Sequence, residues 1–276
     1  MTQIKPLHPY PALLLQHEDI RALVVADLHI GWERILSQKG IHVPSQTLKI
    51  KNSLLKLVKT TKPTQLIVLG DIKDAITQVP REEWEDIPDF FESIQEHVPK
   101  IRVIIGNHDG NIEPLLPETV EIVPATGTTV GDVGLFHGHA WPSPELLGCK
   151  SLITGHVHPT IAIRDPLGFR VTKQVLIKAS CNAEKLAKKL LKSAGTKTVS
   201  DTSSAFNGKL LVSQLFILPS YNQFLGGRPV NEKTKKKTEP YIGPILRSGC
   251  VNMDEAEVYL LDGTFLGTVE QLKQFS

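Results

Sequence analysis

The chain has 276 residues, of which 41% are hydrophobic and 22% charged, and a mean hydropathy of −0.08. That composition belongs to folded, water-exposed proteins and excludes disordered and membrane-embedded classes. Its 31 basic and 29 acidic side chains leave a formal charge of +2, so no global field selects nucleic acid or a membrane, and any such affinity must be local.

In chain order, the first clear element is the apolar run Ala22–Ala26, which ends in Asp27-Leu28-His29. A continuous run of this length predicts a strand buried on both faces. A helix is expected from Ser45, its N-cap, to Thr60, with Leu48, Leu54, Leu55 and Val58 on its apolar stripe and Pro63 as its stop. Leu66–Leu69 predicts a second buried strand, ending in Gly70-Asp71-Ile72-Lys73-Asp74. Arg81 to Val98 has helical spacing through Trp84, Ile87, Phe91 and Ile94, with Pro88 expected to kink it or begin a new helix.

Three further strands are predicted at Ile101–Ile105, Val133–Phe136 and Leu152–Thr154. They end in Gly106-Asn107-His108-Asp109, His137-Gly138-His139 and Gly155-His156-Val157-His158. Hairpins are expected over Ile161–Val175, around Asp165–Gly168, and over Val258–Val269, around Asp262-Gly263. Between them, Asn182 caps an expected helix through Leu186 and Leu190, followed by a Gly/Ser/Thr-rich stretch to Gly208. The expected organisation is one domain over 1–276, with 182–209 inserted as a helix plus mobile loop.

Three cysteines, Cys149, Cys181 and Cys250, are odd in number and form no CxxC pair. They argue against a disulfide framework or a thiolate zinc site. With no readable secretory signal and no apolar run near the roughly 20 residues that span a bilayer, a cytoplasmic location without membrane contact is expected.

Six of the ten histidines follow apolar runs directly. One Asp-x-His or His-x-His means little, because a surface strand explains it equally well. Five successive strands ending in such ligands are far more specific, since loops at strand carboxyl ends converge on one crevice. Asp27, His29, Asp71, Asn107, His137, His156 and His158 make seven ligands, too many for one tetrahedral ion and suited to two ions sharing a carboxylate. Carboxylate, imidazole and amide suit manganese first, with iron, zinc, nickel or cobalt as alternatives. No Walker or dinucleotide-binding loop is present, which leaves ATP-driven and NAD chemistry without support.

In order and spacing, these blocks resemble the signature of the calcineurin-like metallophosphoesterases, most specifically from Ala22 to Pro159. Asp27–Glu33, Gly155–Pro159, Leu218–Asn222 and Gly227–Asn231 further resemble the archaeal SbcD-related phosphoesterases. The resemblance implies a four-layer α-β-β-α metallophosphoesterase sandwich. It assigns one ion to Asp27, His29 and His158, a second to Asn107, His137 and His156, and the bridge between them to Asp71. It also implies a phosphate-contacting, proton-donating role for His108 and a supporting role for Asp109 behind the ligands. The implied activity is phosphodiester hydrolysis of nucleotide or nucleic-acid type. The alternatives are a phosphomonoesterase or nucleotide phosphatase, and a non-catalytic scaffold on the same fold, which would be expected to lack ligands that this chain retains.

One departure is Asp74, where SbcD-type nucleases usually carry histidine. Asp74 is expected to hydrogen-bond His108, as in the phosphatase branch. His139 is read either as a substrate-side donor or as a plain loop histidine. Trp32 and Trp141 are read as packing rather than base stacking. The lysines of 185–192 and 233–237 are read as solvated faces rather than phosphate ligands. A homo-oligomer is compatible with the sequence.

Overall fold

The computed structural model describes residues 1–76, 79–165, 167–195, 206, 209–232 and 242–276. Its first half forms a six-stranded sheet in chain order: β1 (Gln3–Pro6), β2 (Leu13–His17), β3 (Ile20–Val25), β4 (Gln65–Leu69), β5 (Lys100–Ile104) and β6 (Glu121–Val123). β3 to β6 run parallel, and β1 and β2 extend the sheet antiparallel. Short helix α1 (Glu33–Gln38) and helix α2 (Thr47–Thr61) lie between β3 and β4, and α3 (Arg81–Gln95) connects β4 to β5. Parallel neighbours require such crossovers.

The second half supplies β7 (Thr128–Val130), β8 (Val133–Phe136), β9 (Ser151–Thr154), β10 (Thr160–Arg164), β11 (Arg170–Cys181), helix α4 (Ala183–Ser193), β12 (Gln214–Ile217), β13 (Val251–Leu260) and β14 (Phe265–Thr268). The spatial order is β14-β13-β11-β12-β9-β8-β7, with β10 paired to β11. Here β8, β9 and β12 are the parallel set.

Side-chain alternation divides each central strand between two cores. On β3 and β4, Ala22, Val24, Ile67 and Leu69 meet Leu135, Ile153 and Leu218 between the sheets. Leu23, Val25, Leu66 and Val68 face the other way, against Ile50, Leu54 and Leu57 of α2 and Ile87, Phe90 and Phe91 of α3. Leu186 and Leu190 of α4 cover the outer face of the second sheet. The result is the expected α-β-β-α sandwich. Its outer core depends on residues such as Phe91, whose truncation to alanine would cost about 3–5 kcal/mol.

Several local expectations change. α2 starts at Thr47 after Gln46; Ser45 sits one position further out, and its hydroxyl accepts from the Thr47 N–H at 3.3 Å. Leu48 is exposed, because the buried stripe of α2 runs through Ile50, Leu54, Leu57, Val58 and Thr61. α3 continues through Pro88 as one helix, and Trp84 points outward while Phe90 and Phe91 are buried. The Asn182 cap forms as expected, accepting from the Lys185 N–H. Most of the Gly/Ser/Thr-rich stretch, and with it the expected mobile loop, lies outside the described residues, as does the 233–237 lysine run. Among the described residues, no helix is long and apolar enough to cross a membrane.

Candidate metal centre

The five ligand-bearing loops meet where the carboxyl ends of β3, β4 and β5 face those of β8 and β9. Backbone hydrogen bonds join the first two loops: Asp27 N–H to Gly70, His29 N–H to Asp71 and Ile30 N–H to Ile72 carbonyls. Asp109 clamps the next pair, its carboxylate accepting from the N–H groups of Asp71, Ile72 and Gly106, each at 2.8 Å. The second sheet is tied in by His156 N–H to the Asp27 carboxylate and by His137 Nδ1 to the Leu69 carbonyl at 2.6 Å. Asp27, His29, Asp71, His156 and His158 all have positive φ. Non-glycine residues occupy that region at a cost, and such strain concentrates at functional sites.

The candidate ligand atoms lie in groups. One atom each from Asp27, His29 and His158 lies within 4.8 Å of the others, and the same holds for Asp71, His137 and His156. Asn107 joins the second group, with Oδ1 3.2 Å from His137 Nε2. A further group, His29, Asp74 and His108, meets the same spacing. Glycine is required beside these atoms: a Cβ on Gly106 would stand 2.2 Å from Asp71 Oδ1.

Proton bookkeeping tests whether cations fit. Leu69's carbonyl can only accept, so His137 Nδ1 carries a proton and Nε2 presents a lone pair. Yet that Nε2 faces Asp71 Oδ2 at 3.3 Å and Asn107 Oδ1. Three acceptors facing one another require either a second proton on the ring or a cation among them. His29 repeats the arrangement: Nδ1 is bonded to Asp74 Oδ1 at 3.1 Å, while buried Nε2 has no hydrogen-bond partner and lies 3.6 Å from Asp71 Oδ2. His158 Nε2 is likewise buried and unpartnered, 3.5 Å from Asp27 Oδ1. The residues therefore fit divalent cations.

Without ions, protons meet the same conflict. Burial alone would pull the His137 imidazole down, but its hydrogen bond to Asp71 and the charges of Asp71 and Asp27 raise it to about 9. Burial pushes Asp71 up, and the His137 hydrogen bond with the charges of His137 and His29 more than reverses this, holding it well below the usual carboxylate range. Burial and the charge of His137 depress His156 to about 4. Burial and the neighbouring Asp71 charge raise the Asp109 carboxyl.

Three expectations are refined. The Asp74 carboxylate binds His29 rather than His108; the Asp74 backbone carbonyl holds His108 Nδ1, at 2.6 Å. The proton must then sit on His108 Nδ1, leaving Nε2 for the cavity that His108 lines. The His139 ring centroid lies 5.2 Å from His137 and 6.1 Å from His156, and its Nδ1 is buried without a hydrogen-bond partner. Trp32 stacks on Phe224 and Trp141 packs against the second sheet's outer core, which supports packing for both.

The sequence reading assigned no role to Ser220 and Asn222. Both are fully buried, and they brace the first ligand loop through its backbone: Ser220 Oγ to Asp27 O at 2.6 Å and Asn222 Nδ2 to His29 O at 3.5 Å.

Residues 20–156 match the family model described as calcineurin-like phosphoesterase. Among solved structures, the nuclease MPE of Pseudomonas putida is 19% identical, with 96% of this chain and 100% of that chain covered and a TM-score of 0.50. Yfce, a phosphoesterase from E. coli, is 18% identical over 52% of this chain and 73% of that chain, with a TM-score of 0.34. No curated protein matches the chain. At these identities the structural likeness to the nuclease speaks to the fold alone.

Proposed function

We propose, from the calcineurin-like phosphoesterase domain that the chain carries over residues 20–156, that the protein hydrolyses phosphodiester bonds of nucleotide or nucleic-acid type at a centre of two divalent ions. Hydrolysis of phosphate esters follows from the family; the diester preference, the ions and the residue roles are our reading. The observation that carries it is the set of imidazole Nε2 atoms facing carboxylate oxygens at His29, His137 and His158.

Asp27, His29 and His158 would hold one ion, Asn107, His137 and His156 the other, and Asp71 both. Bound there, two divalent ions supply Lewis-acid polarisation of the phosphate and acidification of attacking water. Manganese is the ion we expect first. The carbonyl of Asp74 and the carboxylate of Asp109 hold His108 and the Asp71 loop in place. With a proton on each ring nitrogen, His108 would give the one on Nε2 to the departing ester oxygen while Nδ1 stays bonded to the Asp74 carbonyl, which suits diesters with poor leaving groups. The finer likeness to archaeal SbcD-related phosphoesterases supports the same preference. We also read 1–276 as one domain and the location as cytoplasmic.

The test is hydrolysis of bis-p-nitrophenyl phosphate against p-nitrophenyl phosphate, after metal removal and readdition of manganese, nickel, cobalt, zinc or magnesium singly. Metal-dependent turnover favouring the diester is expected. Preference for the monoester would move the protein to the phosphatases, and absence of turnover with every metal would favour a scaffold.

A further inference from the structure

We infer that a groove continuous with the metal centre holds the single-stranded polynucleotide segment adjoining the scissile phosphate; this rests on the phosphodiesterase reading above. The cavity over the centre, about 470 Å³, is bounded on one side by Gly226, Gly227 and Arg228. The same two glycines border a second groove of about 710 Å³. A Cβ on Gly227 would stand 2.0 Å from the His158 carbonyl, so the chain must pass bare there, whereas a Cβ on Gly226 would meet nothing. Arg228, at this junction, is exposed and has no ion pair among the described residues.

One wall of the groove is the β10–β11 hairpin, which begins two residues after His158. Its register pairs Thr160 with Gln174, Ala162 with Thr172 and Arg164 with Arg170, placing all six on one face. Thr160, Gln174, Thr172 and Arg170 line the groove; Arg164 lies beyond its lining, directly opposite Arg170 on the same face of the hairpin. From Thr160 to Arg164 the strand advances about 13 Å, further than one phosphate-to-phosphate step of a nucleotide chain. A mononucleotide held at the metal centre would not reach these arginines; a polynucleotide would.

Two guanidinium groups directly opposite each other repel. Glu232 binds Arg170 at 2.5 Å, and no described carboxylate binds Arg164, so one positive charge on this face is unmatched. Asp262, across the groove, is engaged with the Thr264 N–H at 2.9 Å. Beside the arginines, the turn presents Phe169, 68% exposed. An exposed ring next to unmatched positive charge is the pairing that takes an unpaired base and its phosphate, and a duplex offers no free base face to stack.

The test uses full-length protein and a fluorescent phosphorothioate single-stranded oligonucleotide, with Kd measured by anisotropy over a salt series for wild type, Arg164→Ala and Arg164→Ala/Phe169→Ala. Loss of the phosphate contact should lower the slope of log Kd against log salt by about one, and the double variant should bind about tenfold more weakly. Bis-p-nitrophenyl phosphate, too short to reach the arginines, is the internal reference. Equal affinity and slope in all three proteins would overturn the groove, as would duplex binding as tight as single strand. If the aryl diester is not hydrolysed while the variants still bind oligonucleotide more weakly, the phosphodiesterase reading fails and the groove stands.

Discussion

His29 and His108 are held by opposite ends of one residue: the carboxylate of Asp74 takes His29 Nδ1 at 3.1 Å, and its backbone carbonyl takes His108 Nδ1 at 2.6 Å. Side-chain replacement separates the two contacts. Asp74→Ala should weaken binding of the ion at Asp27, His29 and His158 by about 10–100-fold, the range for lost support behind a metal ligand. The carbonyl survives, so dependence on leaving-group pKa at saturating metal should match wild type. A steeper dependence would mean that the carboxylate also governs His108.

His108→Asn removes the proton donor without touching a proposed ligand. Two bound ions per chain are expected by elemental analysis, with turnover of diesters carrying poor leaving groups falling about 10²–10⁴-fold. Aryl diesters with good leaving groups should lose much less. Equal losses for both classes would remove the acid role.

Asp71→Asn should abolish the paired centre, leaving at most one tightly bound ion. The same change removes the charge that raises His137, so its imidazole should titrate closer to 6.5 by NMR in chelator. Two tightly bound ions in this variant would refute the bridging assignment.

In chelator, His137 and His156 should contribute opposing pH limbs to stability that meet near pH 6.5. His137 is raised from 6.5 to about 9, so its contribution is complete below 6.5 and is lost as pH climbs through 9. His156 is depressed from 6.5 to about 4, so its contribution is present above 6.5 and is lost as pH falls through 4. Thermal melts should therefore decline on both sides. Added manganese should lift the alkaline limb, because ion binding needs neutral imidazoles. A flat alkaline limb in chelator would show that His137 is not raised.

Asp109→Ala leaves buried N–H groups of Asp71, Ile72 and Gly106 without their acceptor, at roughly 1–3 kcal/mol each. A fall of several degrees in Tm is expected by calorimetry, even in chelator, because the clamp joins loops rather than ions. A Tm equal to wild type would deny it that role.

The candidate ligands were legible because each lies within a few residues of the end of an apolar strand, a pattern that needs no knowledge of distant contacts. The parallel strands carrying them were legible for the same reason. What short-range pattern could not supply was which strands share a sheet: β3 and β8 read alike, and the layers came only with the family resemblance. β1 and β2 went unread, since Leu13–Leu15 lacks the β-branched residues of the runs read as strands, and leucine marks strand and helix alike. Leu48 and Trp84 show that helical period fixes a buried face only to within a residue. Ser220 and Asn222 act on backbone carbonyls nearly 200 positions away, and the partner of Asp74 depends on which of its two oxygen-bearing ends faces which ring.

Among the described strands, the chain passes from one sheet to the other once, between Val123 and Thr128. Asp27, His29, Asp71, Asn107 and His108 precede that crossing; His137, His156 and His158 follow it. Each proposed ion therefore draws ligands from both sides. Neither half could assemble either ion site alone, so fragments cut within 124–127 should be inert separately and regain metal binding only on reassociation. Protein and ion would then form a logical AND gate, with recovered chelation reporting that the two halves have met.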